Sequence, residues 1–351
     1  MKKKHISHFK NQKELELFGI MPDGQEVYCS KLVNKNGLEL RIINYGATLQ
    51  SLKIPLKNGE VVDVVLGFAS LKNYLQSFDL HGAPYFGATI GRYAGRIQDG
   101  TFVLNGNTFF LNKNNQGNCL HGGNKGFSEA IWQFESINDT GTNPSVSLHY
   151  FSPSGEENFP GDLSVTVTYC LTEENEVVVT YQATTTADTV VNLTHHSYFN
   201  LDGHTTEITN QELMVNATKV LEIKKDGIPT GRFLNSQGTN LDYKKPSACP
   251  ERIDTTFVLP QDEVLAACLF SKKNHLKMSV YTNQPGVHIY VGGNCFNRIE
   301  GKEGAAYTAL SGICFETQNF PDAPNQSHFP DAVLRKSDKY QHTCTYKLEF
   351  L

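Results

Sequence analysis

The sequence predicts an all-β protein built as a large antiparallel β-sandwich, and three observations carry that prediction. Apolar and polar residues alternate with a period of two along much of the chain. β-Branched and aromatic residues crowd those runs, while Gly, Asn, Asp and Pro fill the gaps between them. No long stretch repeats at 3.6 residues, so strands follow strands rather than alternating with helices. A chain of 351 residues is long enough for two average domains, yet large sandwiches reach this length as one unit. With no low-complexity linker or internal repeat in view, one domain over residues 1–351 is expected, the first thirty contributing little to the pattern.

The elements follow in order. Leu38-Glu39-Leu40-Arg41-Ile42-Ile43 alternates into Asn44-Tyr45-Gly46 and reads as a strand. Residues 69–76 suit a short helix. Thr101–Leu104 and Thr108–Leu111 flank Asn105-Gly106, the strongest short hairpin signal, because both turn positions need positive φ. Leu163–Leu171 and Glu176–Thr184 form a second hairpin around 172–175. Further strands are expected at 146–150, 190–193, 278–281, 287–291, 313–317 and 344–350. Residues 263–269 suit either a helix or a strand.

Composition narrows the function. Apolar residues make up 39% and charged residues 19%, a globular balance. A net charge of −5 argues against nucleic acid as a partner, since phosphates call for a basic stripe. Lys2-Lys3-Lys4 is the only dense positive run, and the residues after it stay polar, unlike a secretory h-region. No run of apolar residues approaches membrane-spanning length. The eight cysteines show no C-x-x-C spacing and read as reduced thiols. The expected setting is therefore cytoplasmic, with no membrane and no metal.

Four islands hold residues suited to chemistry. Gly91-Arg92-Tyr93-Ala94-Gly95-Arg96-Ile97 reads as a tight loop, its arginines either solvated or presenting a fork of donors to sugar hydroxyls. In Leu120-His121-Gly122-Gly123 the glycines let the backbone approach a ligand, although a turn histidine reads the same way. In Thr194-His195-His196-Ser197-Tyr198-Phe199-Asn200-Leu201, extended backbone sends the adjacent histidines to opposite faces, so they cannot chelate one ion together. In Ile313-Cys314-Phe315-Glu316-Thr317-Gln318, alternation puts Cys314, Glu316 and Gln318 on one face. A carboxylate there is either on the wet face of an edge strand or paired and functional, because an isolated buried charge is too costly. Together the islands supply an acid, a base and a ring of polar donors, the equipment for proton transfer on a polyhydroxylated substrate.

These stretches, with Asn44-Tyr45-Gly46-Ala47, Gln284-Pro285-Gly286 and Asn319-Phe320-Pro321-Asp322-Ala323, run in one order over roughly residues 30–351 and resemble the aldose 1-epimerase (galactose mutarotase) family. The resemblance implies a mutarotase-like supersandwich with a sugar cleft on one sheet, a monosaccharide substrate and no cofactor. It further implies His196 as general acid to the ring oxygen and Glu316 as general base to the C1 hydroxyl. Arg96, His121, Ser197, Tyr198 and Asp254 then hold sugar hydroxyls, joined by Gly95 and His288. Near neutrality Glu316 is expected as carboxylate and His196 as imidazolium, given a negative neighbour.

The chain departs from the family's usual residues at Gly95 and His195 (asparagine), His288 (glutamine) and Thr255 (histidine). Those departures bear on the preferred sugar more than on the reaction. The alternatives are an epimerase of a disaccharide or phosphorylated sugar, a non-catalytic carbohydrate-binding sandwich, and a glycoside hydrolase using Asp254 and Glu316. Either a monomer or a homodimer is compatible with the sequence.

Overall fold

The computed structural model describes residues 15–139, 141–260, 264–292 and 298–351. The Lys2–Lys4 run and Cys295 lie outside them. Three large sheets carry the chain, and every ladder between named strands is antiparallel. A five-stranded meander runs in chain order from Leu15–Ile20 to Val61–Asp63. Nine strands form the second sheet, with Tyr340–Phe350 at its centre between Glu176–Thr185 and Leu276–Thr282. The third has six strands in the order Tyr198–Phe199, Ile313–Gln318, Gly286–Val291, Ile253–Val258, Lys219–Ile223, Pro229–Asn235.

The nine- and six-stranded sheets pack face to face. Val287, Ile289, Ile313 and Phe315 from the smaller sheet share one core with Val179, Met278, Val280, Tyr346 and Leu348 from the larger. Tyr346 donates its hydroxyl proton to Phe315 O across the layers and packs its ring 4.8 Å from that of Phe199. Because side chains alternate along a strand, the residues between these core positions face the other way. On the six-stranded sheet those others are the cleft residues.

Local signals place most elements where expected. The hairpin of Thr101–Leu104 and Asn107–Phe110 turns at Asn105 and Gly106, both at positive φ (51° and 78°). The second expected hairpin forms nine register pairs from Leu163↔Thr185 to Leu171↔Val177. Ser70 caps the helix Leu71–Phe78 by accepting the Asn73 amide proton. That helix sits two residues later than the pattern suggested, since the cap fixes its start. The ambiguous segment resolves as the strand Val264–Ser271, which sends Ala266, Ala267 and Leu269 into the large core. The strand expected over 190–193 is shorter: Thr189 and Val190 pair with Leu334 and Val333, and Asn192 makes an isolated bridge to Tyr93. Among the described residues no helix is long and apolar enough to cross a membrane.

Candidate active site

A cleft of about 880 Å³ opens on the outer face of the six-stranded sheet. Its floor is set by register. Asp254 pairs with Tyr290 and Thr256 with His288, while His288 pairs in turn with Glu316 on the adjoining strand. Three neighbouring strands therefore deliver Asp254, Thr256, His288 and Glu316 to one surface. These strands are bonded on both sides, which makes the floor a rigid support.

His196 enters from the segment beside that floor, held by backbone bonds from its own N–H to Ala88 O and from Gly87 N–H to its carbonyl. Its Nε2 lies 3.6 Å from Glu316 Oε1, and both side chains are almost fully buried. His195, the preceding residue, points the opposite way into the core between Tyr169 and Tyr346. The pleat separates the two imidazoles as alternation requires, so no metal site forms between them.

Arg96 and His121 come from two loops that cross tightly. Leu120 pairs with Arg96, and the His121 N–H donates to Gly95 O. Gly122 makes the crossing possible: a Cβ there would sit 2.0 Å from Gly91 O, and its φ is +91°. His121 itself adopts a left-handed φ of 53°, a strained conformation of the kind found at functional sites. Its Nδ1 accepts the Gly95 N–H at 3.3 Å, which assigns the ring proton to Nε2. His121, His196 and Glu316 bring their donor atoms within 4.8 Å of one another, a set able to gather a cation. The tautomer of His121 instead favours an N–H donor beside the acid–base pair. Arg96 is oriented by its Nε bond to Asn115 Oδ1 at 3.1 Å.

Electrostatics distinguish the three histidines. Burial pushes His121 well below its ordinary value, helped by the charges of His196 and Arg96. Burial also lowers His196, and the Glu316 carboxylate offsets only part of that effect. Burial works against the imidazolium expected at neutrality, because loss of hydration outweighs the charges of Glu316 and Asp254. His288 goes the other way: burial would lower it, but the Asp254 hydrogen bond and the Glu316 charge raise it. Its Nε2 lies 3.0 Å from Asp254 Oδ1 and its Nδ1 lies 2.9 Å from Thr256 Oγ1. Burial would raise Asp254, yet the bond and charge of His288 outweigh it and bring the carboxyl down to about 2.

Of the expected site residues, the cleft lining holds His196, Glu316, Arg96, His121, Asp254, His288 and Gly95. Two others do not reach it. Ser197 and Tyr198 are buried, Tyr198 lying against His196 with ring centroids 5.3 Å apart. Arg92, one of two arginines considered for sugar contact, is buried and gathers the carbonyls of Ser152, Pro153, Pro160 and Gly161. It organises the 152–161 loop instead. The sequence reading missed Tyr85, whose ring meets both His121 and His196 at centroid distances of 5.1 and 5.6 Å. No local pattern marks it, since a tyrosine at φ 53° in a loop is legible only from the fold. It also left Gln318 without a role, although alternation had already placed that residue beside Glu316.

Comparison with known proteins gives a consistent result. A family model for aldose 1-epimerase matches residues 28–347. The galactose mutarotase of Sus scrofa is 38% identical over 340 residues, covering 93% of this chain and 96% of that protein. The aldose 1-epimerase of Escherichia coli (strain K12) is 32% identical over 345 residues, covering 93% and 97%. Among solved structures, an aldose epimerase homologue from C. elegans superposes with a TM-score of 0.83 at 28% identity, over 92% of this chain and 98% of that one. A galactose 1-epimerase from Lactobacillus acidophilus NCFM gives 0.82 at 26%, over 96% and 98%. The expected mutarotase-like sandwich is the fold observed.

Proposed function

The chain belongs to the aldose 1-epimerase family, and from that premise we propose that it interconverts the α and β anomers of a free aldose, galactose or glucose being the first candidates, with Glu316 as base and His196 as acid. The observation that carries the reading is the 3.6 Å approach of His196 Nε2 to Glu316 Oε1 at the floor of an open cleft. A pyranose set with its anomeric centre between them meets both reagents on one ring. Glu316 takes the O1 proton, the O1–H electrons form the carbonyl, the C1–O5 bond breaks, and O5 takes a proton from His196. Rotation about C1–C2 turns the other face of the aldehyde toward O5. Reclosure then reverses the two transfers and returns each group to its starting state.

The low position of His196 suits this role in one respect and limits it in another. Its conjugate acid is stronger than a free imidazolium, which favours proton delivery to an ether oxygen, but it is a minority form at neutral pH. Orientation supplies much of the remaining advantage, since in water two proton-transfer partners must assemble by chance. Arg96, His121 and the ionised Asp254 held by His288 are suited to grip the other hydroxyls. A cytoplasmic setting fits the free thiols of Cys29, Cys119, Cys170, Cys249, Cys268 and Cys344.

Polarimetry on freshly dissolved α-galactose and α-glucose tests the reading. Accelerated approach to the anomeric equilibrium is expected for at least one of them. A rate equal to that of buffer for every free aldose tried would refute it, and a preference for a reducing disaccharide or a sugar phosphate would redirect it.

A further inference from the structure

Gln318 is the residue of the cleft whose chemistry is left over. It ends the strand Ile313–Gln318 on the same face as Glu316, lines the cleft, and is 1% exposed. Its Oε1 is fully buried and has no hydrogen-bond partner in the protein. The two buried amides nearest to it, Asn319 and Asn192, are satisfied. Asn319, the next residue, donates to Pro330 O and Asp331 O and accepts the Phe320 N–H. Asn192 donates to Ala94 O and Asn319 O and accepts the Asn319 N–H. An orphan among such neighbours calls for a partner from outside the chain.

The surroundings agree. The cross-strand neighbour of Gln318 is Gly286, which places no side chain over it. A Cβ on Gly286 would meet Phe320 at 3.0 Å and Thr256 at 3.2 Å, so the spot beside Gln318 is walled by fixed groups, while Gln318 itself belongs to the cleft lining. Pro321, Gly95 and Arg96 line the cleft with it. Two residues along a strand separate the Gln318 and Glu316 side chains by about 7 Å. That separation is comparable with the width of a pyranose and its hydroxyls.

We propose that Gln318 is a substrate-binding residue whose amide pairs with one ring hydroxyl of the sugar while its anomeric centre lies between His196 and Glu316. The proposal rests on the mutarotase reading and adds to it a hydroxyl-specific contact. A hydroxyl both donates and accepts, so it satisfies the amide in either orientation of the side chain. A sugar lacking that one hydroxyl leaves the amide as unpaired in the complex as it is in the free protein.

The test combines Gln318→Met and Gln318→Leu with a set of monodeoxy sugars, reading mutarotation by polarimetry and thermal unfolding of the sugar-free protein. Both variants remove the orphan and keep the bulk. KM for the parent sugar is expected to rise about fivefold or more with kcat little changed. The unfolding midpoint should hold or rise, because the buried amide contributes nothing without sugar. For one deoxy sugar, variant and native enzyme should have the same KM, and that sugar identifies the hydroxyl. An unchanged KM for the parent sugar in both variants would overturn the proposal and leave the amide to solvent. So would a rise of equal size for every deoxy sugar, the mark of a general structural change. Failure of the native enzyme on the parent sugar would instead sink the mutarotase reading itself.

Discussion

Acidification is expected to weaken the folded chain through two histidines that the proposed chemistry does not use, His195 and His342. Both are buried. Neither nitrogen of His195 has a hydrogen-bond partner. The ring of His342 lies between Leu193 O at 3.1 Å from Nδ1 and Thr317 Oγ1 at 2.9 Å from Nε2, an arrangement that suits the neutral imidazole as donor and acceptor. Burial brings each down to about 3. In the unfolded chain each protonates near the ordinary value of about 6.5. Between those two points the unfolded state binds more protons, so stability falls as pH falls. From pH 7 to pH 5 each histidine removes about 2 kcal/mol, roughly 4 kcal/mol together, a large part of a typical domain's margin of about 5–15 kcal/mol. The assay is urea unfolding at the two pH values, comparing the native chain with His342→Gln. The glutamine has no such titration, so its loss over that interval should be smaller by about 2 kcal/mol, whatever its stability at pH 7. Equal losses in the two proteins would refute the claim that His342 is held neutral by burial.

The remaining predictions concern the site. Glu316→Gln should lower kcat by about 10²–10⁴-fold with sugar binding retained, measured by polarimetry and calorimetry. A fold lost along with binding would mark Glu316 as structural. In kcat/KM against pH, activity should fall as pH rises through the value of His196, and that limb should lie below the ordinary imidazole range because burial lowers it. Removing the charge of Glu316 should move any residual limb lower still, since that carboxylate is what raises it. Gly122→Ala should raise KM and destabilise the fold by more than about 1 kcal/mol, because the new Cβ would displace Gly91 O and the loop carrying His121. An alanine variant with native KM and stability would show that the crossing is less tight than described.

The parts of this architecture legible in the sequence were those decided by neighbours along the chain. Asn105-Gly106 announces its own turn. Extended backbone alone separates His195 from His196 and aligns Glu316 with Gln318, and both hold in the folded chain. What stayed hidden depends on partners distant in sequence. Arg92 reads as a solvated or sugar-binding arginine until the carbonyls of residues 152–161 are seen around it. Tyr198 sits in a strongly matching stretch yet turns out to lie beneath the acid, since only the three-dimensional packing decides which face of a two-residue strand meets the cleft. The Asp254–His288 pair arises from a cross-strand register that no local pattern specifies. The electrostatics of His196 were hidden for a related reason: a neighbouring carboxylate was foreseen, but the burial that works against it belongs to the assembled fold.

The pleat of the strand Ile313–Gln318 divides it into reagents on one side and core on the other. Deleting or inserting a single residue there would exchange the two sets, pointing Phe315 into the sugar cleft and thrusting a carboxylate among Ile289, Phe199 and Tyr346. The same holds at His195 and His196, where a slip of one would trade a buried ring for a working one. A change of chain length within this strand is therefore expected to cost far more than a change of residue at fixed length, whereas loops can absorb insertions.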